Sequence, residues 1–136
     1  RIPAMTKKIL LDPLAPRAKK PPFSMGVQVG DTIYVSGHVA QDATGQVVGK
    51  GDMAAQTRQV FASIEAVLAE AGATMEDVVK ITTYITDMSR YAEFSAVRAE
   101  VFPNAGMASA TVAGVELVSP DFLVEVETIA VIGSGE

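Results

Sequence analysis

The chain has 136 residues, 49% of them hydrophobic and 20% charged, with positive mean hydropathy (+0.27) and a net charge of −5. That composition excludes a disordered chain, suits one domain with a real core, and leaves more apolar surface than a small monomer can hide, so self-association is expected. The acidic balance opposes a nucleic-acid partner, and the absence of cysteine excludes disulfides, thiolate nucleophiles and Cys-ligated metals.

Arg1-Ile-Pro-Ala4 ahead of Met5 reads as a cloning remnant, which leaves a single domain over residues 6–132. Thr6 to Leu11 reads as a short strand, and the proline-rich segment Asp12 to Pro22 as an extended loop, since proline denies it helix. Its Arg17-Ala-Lys19-Lys20 cluster reads as a solvated loop rather than a nucleic-acid groove. Phe23 to Val29, Gly30-Asp31 and Thr32 to Val39 have the form of a hairpin, with Ile33, Val35 and Val39 on one face and Tyr34, Ser36 and His38 on the other. Asp42-Ala-Thr-Gly45 reads as a turn. Asp52 is placed to cap a helix running to about Ala71, with Val60, Phe61, Ile64, Val67, Leu68 and Ala71 on one stripe and Gly72 ending it. Val78 to Thr86 is a strand by β-branched content. Asp87 then caps a second helix that carries Tyr91, Phe94, Val97 and Val101 inward and stops before Pro103. Met107 to Val118 and Phe122 to Ile132 form the last two strands. Two helices cover only one face of such a sheet, so the opposite apolar face must find another subunit.

The last strand carries two carboxylates, Glu125 and Glu127, on the same side as Leu123, Ile129 and Val131. Among apolar neighbours a carboxylate is costly to desolvate, and burial together with a second carboxylate raises its proton affinity, which makes the pair a candidate acid/base site. The plainer reading leaves both on the solvated side of an exposed strand. His38, the only histidine, is either a proton-transfer group or a hydrogen-bonded structural side chain, and alone it builds no multi-histidine metal site. Gly49-Lys50-Gly51 lacks the rest of a phosphate loop and reads as a turn, and Ser36 lacks the strand-turn-helix setting of a nucleophile elbow. No metal and no organic cofactor are expected. No apolar run approaches the ~20 residues that span a bilayer, and no cationic leader precedes an apolar segment, so no membrane partner and a cytoplasmic location are expected.

Pro22-Phe-Ser24, Val35-Ser-Gly37, Ala55-Gln-Thr-Arg-Gln-Val60, Ala71-Gly72, Asp77-Val78-Val79-Lys80 and Val124-Glu-Val-Glu-Thr-Ile-Ala130, in that order and spacing, resemble the RidA superfamily, also called the YjgF/YER057c/UK114 family, from about Thr6 to Ile132. The resemblance implies an α+β, chorismate-mutase-like single domain with a mixed sheet of six strands, two helices on one face, and a homotrimer with ligand clefts between subunits. It implies cofactor-free hydrolysis of enamines and imines to ketoacids and ammonia. The family's carboxylate-binding arginine, just before a serine that matches Ser109, corresponds to Ala108, so the clamp is missing. A cysteine of some members corresponds to Ala110, the family's tyrosine to Phe23, its strand serine and glycine to Ser36 and Gly37, and its water-orienting glutamate to Glu125; His38 stands where glutamine is frequent. Tyr91 and Met107 complete the expected substrate contacts.

Three functions are expected from these residues. The leading one is a hydrolase of an imine, enamine or related reactive metabolite other than the archetypal small imino acids, with Glu125 taking the proton from water, Ser36 and Gly37 touching substrate, and His38 assisting. The alternative is a non-catalytic trimer that binds a ligand or acts as a chaperone. Endoribonuclease activity fits the acidic balance and single histidine less well.

Overall fold

The structure is a computed structural model that describes residues 7–13, 21–104 and 106–135. The expected remnant at residues 1–4, Thr6 as the start of the first strand, and the greater part of the proline-rich loop with its basic cluster lie outside the described residues.

Among the described residues six strands form one sheet: β1 (Ile9–Leu11), β2 (Gly26–Val29), β3 (Thr32–His38), β4 (Val78–Ile85), β5 (Ala108–Ala113) and β6 (Val124–Val131). Their spatial order is β1-β2-β3-β6-β4-β5, all neighbours antiparallel except the parallel pair β4–β5. The last strand in sequence therefore runs up the middle of the sheet, between β3 and β4. Helices α1 (Met53–Glu70) and α2 (Tyr91–Val101) enter between β3 and β4 and between β4 and β5. A parallel neighbour requires a crossover of this kind, and α2 supplies it.

Local chemistry explains most boundaries. Asp52 accepts the Ala55 amide at 3.0 Å and starts α1, whose Val60, Phe61, Ile64, Val67 and Leu68 are all buried, while Gly72 adopts φ 78° beyond its end. Asp87 caps a 3₁₀ turn, Met88–Arg90, rather than α2 itself, which begins at Tyr91. Phe94 and Val97 face inward, and Phe61 meets Phe94 and Phe102 with ring centroids 6.0 and 5.3 Å apart. β5 is shorter than alternation suggests because Gly114, at φ 73°, turns the chain out of extended geometry. β2 likewise begins at Gly26 rather than Phe23, which lies in a bend and is 60% exposed.

The helices bury one sheet face, carrying Ile33, Val35, Ile81, Ile85, Val124, Val126 and Ala130. The other face, with Tyr34, Ile129, Tyr84, Glu125 and Glu127, has no helix over it. It is a mixed face, where half-exposed Tyr34 (50%) and Val112 (43%) lie beside the two glutamates rather than the wholly apolar surface expected. Among the described residues, no helix is long and apolar enough to cross a membrane.

Candidate functional site

β6 is a central strand, so Glu125 and Glu127 do not sit on an exposed edge. The pattern Val124, Val126, Thr128 and Ala130 buried against Glu125, Glu127, Ile129 and Val131 not buried follows strict alternation and turns both carboxylates onto the helix-free face. Glu125 stands opposite Tyr84 of β4, and Glu127 opposite Thr82. The Tyr84 hydroxyl donates to Glu127 Oε1 at 2.7 Å.

The two carboxylates differ in setting. Glu127 is exposed, whereas Glu125 is partly buried and lies over Gly37, where a side chain would collide with its Oε2. Burial first, then the charge of Glu127, pushes the Glu125 carboxyl above the usual carboxylate range. The bond to Glu127, then burial and the charges of both glutamates, raise the Tyr84 phenol. A carboxyl that binds its proton more tightly than usual, beside a tyrosine and a second carboxylate on an open face, can take a proton from water and return it.

Gly37 is available to Glu125 because β3 carries a bulge. Val35 pairs with Thr128 and His38 with Val126, so three steps on β3 oppose two on β6. The extra residue reverses the facing of the strand beyond it, and this corrects the expectation that His38 shares the polar face of Tyr34 and Ser36. His38 is buried (8% exposed) on the helix side, opposite core residue Val126, with Nδ1 2.8 Å from the Ser36 carbonyl oxygen. It does not share a face with Glu125. Ser36 donates its hydroxyl proton to the Ser24 carbonyl at 2.6 Å, which ties the Phe23–Ser24 bend to the end of β3 beside Gly37.

The remaining expected contacts form a second group. In the parallel pairing Lys80 stands opposite Ala108, Ile81 opposite Ser109 and Thr82 opposite Ala110, so Ala108 and Ala110 share the face of Glu125 while Ser109 faces the helices. Tyr91 joins Ser109 through Arg98 of α2, which donates to the Tyr91 hydroxyl at 2.7 Å and reaches Ser109 Oγ at 3.4 Å. Met107 lines a cavity of about 200 Å³ with Met75, Val78, Val101, Phe102 and Ser134, a site that contains neither Glu125 nor Glu127. Ala108 lies level with Lys80 and Glu125 level with Tyr84, four residues along β4, or about 13 Å at strand rise. Within one chain the residue at position 108 is therefore not beside Glu125. Among the described residues, no three metal-binding side chains converge.

Two participants were not singled out from sequence. Tyr84 becomes a neighbour of the glutamates only through the β4–β6 pairing, which local pattern does not reveal. Arg98 was legible in principle, since Tyr91, Phe94, Ser95 and Arg98 fall at helical spacing on one stripe.

A family model described as endoribonuclease L-PSP matches residues 14–132. The chain is 39% identical over 127 residues to a RutC family protein of Pyrococcus abyssi, an alignment covering 93% of this chain and 98% of that one. Among solved structures, a protein of the conserved Rid family from Yersinia pestis superposes with a TM-score of 0.83 at 32% identity, covering 93% of this chain and all of that one. A Mycobacterium tuberculosis member of the YjgF/YER057c/UK114 family does so with a TM-score of 0.77 at 29% identity, over 93% and 100% of the two chains.

Proposed function

Because the chain belongs to the endoribonuclease L-PSP family, the RidA/YjgF superfamily, we propose that it hydrolyses an imine, or an enamine in equilibrium with one, of a small reactive metabolite. The observation that carries this reading is Glu125: a partly buried carboxyl of raised proton affinity, resting over a glycine on an open face. In the reaction Glu125 takes a proton from water as the hydroxide oxygen bonds to the imine carbon. The protonated carboxyl returns that proton to nitrogen, and the carbinolamine collapses to a carbonyl compound with loss of ammonia. For an enamine, the same carboxyl first protonates carbon. Gly37 leaves room for the carboxylate, and Ser36 holds the Phe23–Ser24 bend at the rim.

The site is completed by a second copy. The group around Glu125 and the group around Ala108 lie at different levels of one sheet, and β5 is an edge strand. A ring of copies that covers the helix-free faces would bring the β5 edge of one subunit against the Gly37–Glu125 end of the next, and we take that ring to be a homotrimer. Ala108 supplies no charge for a substrate carboxylate, so neutral imines are preferred over small imino acids.

The test is ammonia release from imino acids and from neutral imines by wild type and Glu125→Gln, each checked for assembly. Turnover that disappears only in the variant supports a hydrolase. Ligand binding without turnover in both proteins identifies a binding module instead, the reading that the alanine at position 108 also accommodates. Cleavage of RNA that survives repurification and vanishes in Glu125→Gln would point to the ribonuclease activity that the family's description names.

A further inference from the structure

Arg98 is a cation of α2 that, among the described residues, pairs with no carboxylate. The acids of its helix are taken: Glu93 is held by Arg90 at 2.9 Å, and Glu100 by Arg58 of α1 at 2.6 Å. Arg98 instead gathers hydroxyls. Its Nη2 donates to Tyr91 Oη at 2.7 Å and, more loosely, to Ser95 Oγ at 3.5 Å, and its Nη1 reaches across to Ser109 Oγ on β5 at 3.4 Å. The guanidinium carbon lies 5.7 and 5.2 Å from the ring centroids of Tyr91 and Phe94, so aromatic faces support the group and leave its hydrogen-bonding edge for a ligand.

The arrangement has more donors than acceptors. Each hydroxyl accepts from the guanidinium and keeps a proton of its own to offer a ligand. Arg98 is thus a partly buried positive charge ringed by hydroxyls. Such a cluster is complementary to an oxyanion.

We propose that Arg98, with Tyr91, Ser95 and Ser109, forms a binding site for the carboxylate of a small metabolite on the helix side of β5. One guanidinium balances one negative charge. Among the described residues no second cation contacts the cluster, so a phosphate dianion would be left half compensated in a partly dehydrated setting. The site is distinct from the Glu125 face: Ser109 pairs with Ile81 and points toward the helices, whereas Ala108 and Ala110 point the other way. It therefore stands whether or not the protein hydrolyses imines.

The experiment follows the arginine side-chain Nε–H resonances of the ¹⁵N-labelled assembled protein during titration with sodium acetate, with inorganic phosphate, and with sodium chloride at matched ionic strength. One Nε–H signal should shift saturably with acetate and not with chloride. Arg98→Gln should remove that signal and, read from the backbone amide of residue 109, lower acetate affinity roughly ten- to a hundredfold, and Ser109→Ala, at an exposed position, should lower it several-fold. A response to acetate no different from chloride, or an affinity unchanged in Arg98→Gln, overturns the site. Tighter binding of phosphate than of acetate overturns the carboxylate assignment. Should Arg98→Gln fail to fold, undiminished acetate affinity in Ser109→Ala overturns the proposal.

Discussion

Replacing Gly37 by alanine separates the function of Glu125 from the stability of the fold. A Cβ at Gly37 would lie 3.0 Å from Glu125 Cδ and 3.3 Å from its Cγ, with Oε2 closer still. The carboxylate must retreat by about 1 Å to restore ordinary van der Waals separation. Because Gly37 does not occupy the left-handed region, alanine meets no backbone strain there. Restricting the unfolded chain stabilises the variant by roughly 0.4–1 kcal/mol. Displacing the end of a flexible side chain at the open face offsets this in part, so net stability should change by less than about 1 kcal/mol. Activity should respond far more, since a misplacement of about 1 Å at a reacting group costs on the order of a hundredfold in rate. Gly30→Ala is the control with the opposite pattern: at φ 58° with nothing within 4 Å, it should cost about 1–2 kcal/mol of stability and leave the rate untouched. The assay pairs ammonia release with chemical denaturation for both variants. A Gly37→Ala protein of native stability and undiminished turnover would refute the placement of Glu125 at the reacting centre.

Three further outcomes are expected. Glu125, whose carboxyl is raised in the folded state, holds its proton where the unfolded chain has released it; stability should therefore fall as pH rises from the ordinary glutamate value through the folded one, by an amount that solvent screening at the open face keeps modest, and Glu125→Gln should flatten that part of a denaturation-against-pH profile. Phe94→Ala, which empties a fully buried site against Phe61, should cost roughly 3–5 kcal/mol in urea denaturation. Ala108→Arg should add 2-iminopropionate hydrolysis, a carboxylate contact being worth ~1.5–3 kcal/mol or about one to two orders of magnitude in rate, provided the copies assemble; the same variant held monomeric should gain nothing, because its own Glu125 is at another level of the sheet.

Much of this protein was written in local pattern. The stripe from Val60 to Leu68, the cap at Asp52 and the alternation Val124 to Val131 follow from periods of 3.6 and 2 and from short-range hydrogen bonds, and those interactions are the same whatever the rest of the chain does. The facing of Glu125 with Glu127 was legible for that reason, and so was the placing of both helices on one face of the sheet. Pairing was not legible. That β6 enters between β3 and β4, that Tyr84 meets Glu127, and that Ala108 stands level with Lys80 rather than Glu125 depend on contacts dozens of residues apart, which the core as a whole selects. The bulge at Ser36–Gly37 belongs with these. Two-residue alternation places His38 among polar neighbours, but the extra residue that opens a seat for Glu125 turns the histidine into the core, and only the register of β3 on β6 decides it.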